Sequence, residues 1–380
     1  MGRKKGSKNK KTIQKAQIKK IKKLPMGFVI IILIILIGLG LWWYFTIYSN
    51  ESSNNENDYK PSLKDGIIYL EKEGTIQEEV KVTFLELFGS TNNPQIGDSL
   101  LIECGDIDIL IDAGEKASGS STVVPFLEKH VEDKVLEMVI VTHADSDHLG
   151  GMVGVSTGYG ALEIPDFTYQ YIIDFGYEAT TQVYKDYVEL RTHRVNEGAK
   201  YFSIGSLFDQ ENLETATRFY LGVDTYLDFL DYKTYAMDSI TDDNDRSVSC
   251  LLTHMEKTFL FTGDSEKKEE EYLTQLDLPK IDVFKANHHG SPTSNTVGLL
   301  NKIHPEYVIV CSSETNKYNL PKKTIISRIN EYTNYIYATF ISGNIEVISK
   351  NNQITISSSR DLIPIQESVW YKEDDPNNPR

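Results

Sequence analysis

"VIVTHADSDHLGG", Val139 to Gly151, is the stretch on which the reading turns. An apolar, β-branched run leads in, and two glycines follow. Between them His143, Asp145, Asp147 and His148 fall within six positions. At the end of a strand, a tight loop opening a helix can point all four side chains into one hollow. Imidazole suits zinc and other transition metals, while carboxylate adds charge and accepts harder ions such as manganese. One ion needs three or four ligands, so the cluster points to two ions. A helix N-cap with solvated acids beside it accounts for one such residue, but not for four.

Other apolar runs end on residues of the same kind. "ILIDAG" ends on Asp112, and "FTGD" ends on Asp264, where a carboxylate could bridge two ions. "FKANHHGS" ends on His288, His289 and Ser291. Each alone reads equally well as a turn or capping residue. Together they recur at strand ends in an order that makes one site plausible. Between them the chain alternates. "KVTFLELFG" reads as a strand, and "SLLIEC" with "DILIDAG" as a hairpin. "SSTVVPFLEKHVED", "TQVYKDYVELRTHRV" and "KKTIISRINEYT" read as helices. Strands are expected at "SVSCLLTHMEKTFLFTGD", "IDVF" and "EYVIV", and a last hairpin at "ATFISGNIEVISKNNQITISSS". This alternation favours an α/β layered domain.

The N-terminus belongs to another class. The first 25 residues carry eleven Lys or Arg and no acid, and Gly27 to Tyr48 carry no charge at all. Phe28 to Ile47 would span about 30 Å as a helix, enough to cross a bilayer. The basic side stays cytoplasmic, and Trp42, Trp43, Tyr44 and Tyr48 suit the far headgroup layer. The expected organisation is a basic cytoplasmic tail (1–25), a transmembrane anchor (26–48) and a linker and approach (49–80). A folded domain carrying the ligand cluster (81–360) and an acidic C-terminal tail (361–380) follow. The expected location is the cell membrane, single-pass, N-terminus cytoplasmic, with the 81–360 domain extracellular.

Charge limits the partners. The whole chain stands at −16; without the basic tail, 28 Lys and Arg face 55 acids, near −27. Such a body repels long nucleic acid unless a local patch compensates. Lys322, Lys323 and Arg328 form the compact basic patch downstream. Tyr184, Tyr187, Arg191 and Arg194 offer a second, which reads more simply as a solvated helix face. Cys104, Cys250 and Cys311 are widely spaced in apolar runs and read as buried small hydrophobes. His130, His254 and His304 read as surface or turn residues. No protein partner can be inferred.

These motifs resemble the metallo-β-lactamase superfamily, whose signature is HxHxDH. More narrowly, they are similar to the ComEC competence protein's soluble domain and its stand-alone relatives, which carry HxDxDH, here "HADSDH". The match continues through Gly97-Asp98-Ser99, "LIDAG", "NDRSVSCLL" from Asn244, "LFTGD" and "HHGS", spanning residues 82 to about 350. The resemblance implies a four-layer αββα sandwich, here preceded by one transmembrane helix. It implies two divalent metal ions, zinc or manganese, held by His143, Asp145, Asp147, His148, Asp264 and one histidine of the HHGS pair. His288 is taken as that ligand and His289 as a substrate contact or proton donor. Asp112, Asn244 and Ser291 are expected behind the ligands or against substrate. Two departures stand out. The middle segment offers only His193, on a helix read as exposed and not counted as a ligand. "NKYNLP" carries Leu320 where relatives have a histidine.

The implied chemistry is hydrolysis. Cations lower the pKa of a shared water, with Asp145 or Asp147 to orient it and His289 to serve the leaving oxygen. The resemblance suggests a phosphodiester, with DNA as one candidate. Another ester or a cell-envelope substrate stands as an alternative. So does a degenerate domain that binds metal or a partner without turnover.

Overall fold

Period-two burial along the strands places two cores on opposite faces of one sheet. In Cys250–His254, Cys250 and Leu252 enter one core and Leu251 the other. Phe259 and Phe261 likewise oppose Leu260, and Ile309 opposes Val308 and Val310. A strand buried on both faces must sit between layers. The computed structural model describes residues 68–372, apart from 72–73, 91, 209–215, 231–239 and 241. The chain divides into two units, Met1–Asp58 and Tyr59–Arg380, and every described residue belongs to the second.

Two eight-stranded sheets carry the architecture. The first is ordered Gln353–Ser358, Ile345–Lys350, Glu79–Phe84, Leu100–Cys104, Ile107–Ile111, Val135–Val141, Thr168–Asp174, Lys200–Ser203. The second is ordered Ile68–Tyr69, Arg218–Gly222, Thr225–Phe229, Cys250–His254, Lys257–Phe261, Val283–Lys285, Tyr307–Val310, Tyr335–Ala338. In each sheet antiparallel hairpins lead into three successive parallel pairings. Inner faces of both sheets share one apolar core, which includes Phe84, Phe219, Phe259 and Phe261. Helix residues Leu127, Tyr187 and Leu207 continue that core on the first sheet's side. On the other side Leu273, Leu299, Leu300, Ile325 and Ile326 cover the second sheet's outer face. The result is a mixed α/β sandwich with helices outside paired sheets.

Among the described residues no helix is long and apolar enough to cross a membrane. The expected anchor, 26–48, lies outside them. Residues Ile68–Tyr69, inside the expected approach, pair in parallel with Phe219 and Tyr220. Ile365 and Trp370, inside the expected tail, are buried in the second core.

Two expectations are corrected. His254 is fully buried, with its ring nitrogens 2.8 Å from Ser349 Oγ and 3.1 Å from the Gln77 carbonyl. The apolar "SCLLTH" run carries it into the strand. The Gln182–Asn196 helix is not a solvated face throughout, because Tyr187 is fully buried and donates to Asp174. Arg191 is paired to Asp174 as well, and Arg194 donates to the Leu162 carbonyl. These groups anchor the helix and are not free to bind phosphate.

Candidate metal centre

Parallel strands that share a sheet deliver their carboxyl ends to one edge, where α/β folds gather ligands. Here Ile107–Ile111 hands the chain to Asp112, and Val135–Val141 to Thr142 and His143. In the second sheet Lys257–Phe261 leads to Asp264, and Val283–Lys285 to His288 and His289. The Val248 amide donates to the Thr142 carbonyl (2.8 Å), tying the two edges together.

Four atoms converge. His148 Nε2 and His289 Nε2 are 3.3 Å apart, and each lies 3.2 Å from Asp264 Oδ2. Asp147 Oδ2 lies 3.3 Å from His289 Nε2. Donors about 2.0–2.1 Å from one tetrahedral ion lie about 3.3–3.4 Å apart. The spacing of His148, Asp264 and His289 therefore fits a single first-row cation, with Asp147 adjoining it at His289.

The remote ring nitrogens are pinned. His148 Nδ1 meets Asp112 Oδ2 at 2.8 Å, and His289 Nδ1 meets the Cys311 carbonyl at 2.9 Å. Such partners fix tautomer and ring orientation and leave Nε2 for the metal. Asp112 itself is locked by the Thr142 amide and hydroxyl, at 2.8 and 2.7 Å. Asp112, His288 and His289 all adopt left-handed backbone, at φ 56°, 47° and 52°. Each such non-glycine residue costs on the order of 1–3 kcal/mol, and such strain gathers at functional sites. Gly97, at φ 141°, lets the Gly97-Asp98 step pass the Asp147 carbonyl; a Cβ there would lie 2.3 Å from that oxygen.

A second, wider set adjoins the first. His143 Nε2 is fully buried and has no hydrogen-bond partner among the described residues. Burial, then the neighbouring His148, pushes its pKa down to about 3, which leaves a neutral ring with a free lone pair. Asp145 Oδ2 stands 3.9 Å from it, and His288 Nε2 stands 3.8 Å from Asp264 Oδ2. An orphaned buried imidazole nitrogen beside carboxylates is what a metal ligand looks like. The residues present fit divalent cations.

Electrostatics agree. Burial opposes charge on His148 and His289, yet Asp264 raises both well above the usual histidine value. Burial likewise opposes ionisation of Asp264, but His148, His289 and Lys285 hold it well below the carboxylate range. The hollow is strongly cation-attracting.

The sequence places these residues unevenly. His289, and not His288, enters the tight group; His288 lies at its edge with Nδ1 3.1 Å from Glu266. Sequence spacing could not separate adjacent histidines, because their order around the site depends on two left-handed residues. Ser291 turns its hydroxyl to Thr293 (2.8 Å) and not to the cluster. Asn244 opens the short turn whose Ser247 hydroxyl accepts from the Asp264 amide at 3.1 Å. His193 stands on the surface, 3.4 Å from Glu197. Leu320 is buried, in the loop whose Pro321 packs on Gly290. Arg328, of the basic patch, donates to the Ser294 and Asn295 carbonyls. Two buried residues were not read as part of the site. Asp98 lies within the group, 3.3 Å from His289 Nδ1 and 3.8 Å from His148 Nδ1. Its oxygens meet the far nitrogens of the rings, so it backs the ligands and does not join them. Lys285 contacts Asp98 and Asp264. The Gly97-Asp98-Ser99 match was the available signal for the first; an apolar strand ending in lysine gave none for the second.

No family model matches the chain. It is 26% identical over 269 residues to Recombination protein 2 of Haemophilus influenzae, covering 69% of this chain and 28% of that protein. It is 25% identical over 246 residues to ComE operon protein 3 of Bacillus subtilis, covering 63% and 28%. Competence protein ComA of Neisseria gonorrhoeae matches at 24% over 252 residues, covering 66% and 30%. The chain thus spans less than a third of the length of these curated relatives. Among solved structures it is similar to the metallo-β-lactamase fold protein YhfI of Bacillus subtilis. That match has 13% identity and a TM-score of 0.43, covering 74% of this chain and all of that one. Human tRNase Z, short form, matches at 11% identity and a TM-score of 0.33, covering 61% and 92%.

Proposed function

We propose, for a chain that is a ComEC-like relative of the metallo-β-lactamase proteins, a membrane-anchored, metal-dependent hydrolase that acts on phosphodiesters. The observation that carries the metal reading is the convergence of His148, Asp264 and His289 at 3.2–3.3 Å, with Asp147 3.3 Å from His289. The wider set of His143, Asp145 and His288 supports a second ion. Around the centre Asp98, Asp112, Asp145, Asp147 and Asp264 gather carboxylates whose charge divalent cations would offset. Zinc and manganese both suit this mixture of imidazole and carboxylate. The anchor rests on residues 26–48 and the DNA candidate on kinship with competence proteins, so both belong to this proposal.

Divalent cations would supply a lowered water pKa and charge neutralisation at the reacting phosphorus. The chain's own residues do the rest. Asp145, partly solvent-exposed at the lip, orients an incoming water. His143 stays neutral and directs Nε2 inward. His288, with its far nitrogen held by Glu266, turns Nε2 toward Asp264 at the edge of the site. The competing reading, a domain that binds metal without turnover, is favoured by Leu320 in place of a polar group.

The test is hydrolysis of a bis-aryl phosphodiester by the metal-loaded protein. His143→Ala and Asp147→Ala should each abolish cleavage while circular dichroism stays unchanged. Manganese should restore more activity than magnesium to chelator-stripped protein, because imidazole favours the softer ion. A metal-loaded wild type that cleaves neither aryl phosphodiester nor DNA would sink the phosphodiesterase reading.

A further inference from the structure

Beside the metal centre the inter-sheet core holds a charged group that the proposed chemistry does not use. Along Val283–Lys285, Val283 faces the core between the sheets and Phe284 the outer helices. Lys285 falls on the Val283 side, with its side chain only 1% exposed. A lysine in such a place needs every donor met. Its ammonium donates to the Gly263 carbonyl at 2.7 Å, pairs with Asp98 Oδ2, and reaches Asp264 Oδ1 at 3.4 Å. Three donors meet three oxygens.

Those contacts sort the two oxygens of Asp264. Oδ1 is held by Lys285, while Oδ2 lies 3.2 Å from His148 Nε2, 3.2 Å from His289 Nε2 and 3.8 Å from His288 Nε2. Asp98 is sorted as well: Oδ2 goes to Lys285, and Oδ1 stands at His289 Nδ1. We propose that Lys285 is a positioning residue that selects which carboxylate oxygens the metal centre receives. It withholds Asp98 Oδ2 and Asp264 Oδ1, and leaves Asp264 Oδ2 as the Asp264 oxygen presented to both ligand sets. This rests on the metal reading above. Without the ammonium, Asp264 is free to rotate and chelate one ion with both oxygens, and Asp98 becomes a buried anion able to compete. A compact ammonium suits the task, whereas a planar guanidinium cannot address three converging oxygens at one point.

The full chain, solubilised in detergent, is stripped with chelator and titrated with cobalt(II), whose visible absorption reports its coordination. Lys285→Met should bind cobalt about 10–100-fold more weakly, the usual cost of losing an outer partner of a ligand. Its absorption per bound ion should differ from wild type. Because that change leaves Asp98 unpaired, Asp98→Asn with Lys285→Met is the second variant, which buries no lone charge. It should fold and show the same weakened, altered binding. A double variant with wild-type affinity and spectrum would reduce the pair to a structural ion bridge and overturn the proposal. Tighter binding in either variant would show a bare repelling charge, and would overturn it equally. Wild-type protein that takes up no cobalt would instead overturn the metal centre itself.

Discussion

His288 and His289 are neighbours in sequence yet unequal in place. His289 is buried, its Nδ1 pinned and its Nε2 facing Asp147, His148 and Asp264. His288 keeps a side chain 23% exposed. His289→Ala should therefore lower bound metal at least tenfold more than His288→Ala, read by elemental analysis after dialysis. Asp264→Asn should likewise lose far more metal than His193→Ala. Equal losses in either pair would contradict the arrangement. "HADSDH" was legible as a ligand cluster because four strong donors in six positions have no economical structural explanation. The choice between the two histidines was not, since it depends on backbone angles that spacing does not carry.

Among the elements, the Gln182–Asn196 helix shows how a polar sequence is pulled into the fold. Asp174, fully buried at a strand end, accepts from Tyr187, Tyr201, Arg191 and the Gly176 amide. Asp174→Ala would strand a guanidinium and two hydroxyls, at a cost of about 3–5 kcal/mol. Urea unfolding should show that loss, and a midpoint near wild type would contradict it. On the first sheet, Asp108 and Glu137 lie among Glu103 and Asp133, with Lys81 as the nearby cation. Burial, then Glu103, pushes Asp108 up to about 8, and burial pushes Glu137 to about 7. The native state thus keeps protons that the unfolded chain releases, so stability falls as pH rises from about 4 to about 8. Asp108→Asn should be more stable than wild type at pH 8, with the gap closing towards pH 5. A gap independent of pH would refute this. The strands themselves were readable from alternation, and the helix's inward face was not, because tyrosine and arginine hide a polar partner that lies in another element.

For the whole molecule, topology and charge join. On the proposed reading, eleven basic residues before an uncharged stretch would orient the chain with residues 50–380 outside. Protease added to intact, wall-stripped cells should digest the domain; protection until lysis would reverse the orientation. The acidic body, near −27 beyond the basic tail, would repel a polyanionic substrate unless a local basic patch compensates.

By itself the sequence determined the alternation of strands and helices, the strand ends at Asp112, His143, Asp264 and His289, and the polarity of the N-terminal segment. These are local properties: periodicity, run length and charge sign act within a few residues of each other. Only the tertiary structure decided that Asp98 and Lys285 belong beside the ligands, and that His254 is core. The same holds for which of two adjacent histidines closes the site. Each depends on a partner more than a hundred residues away, brought within hydrogen-bond reach when the two sheets close on one apolar core.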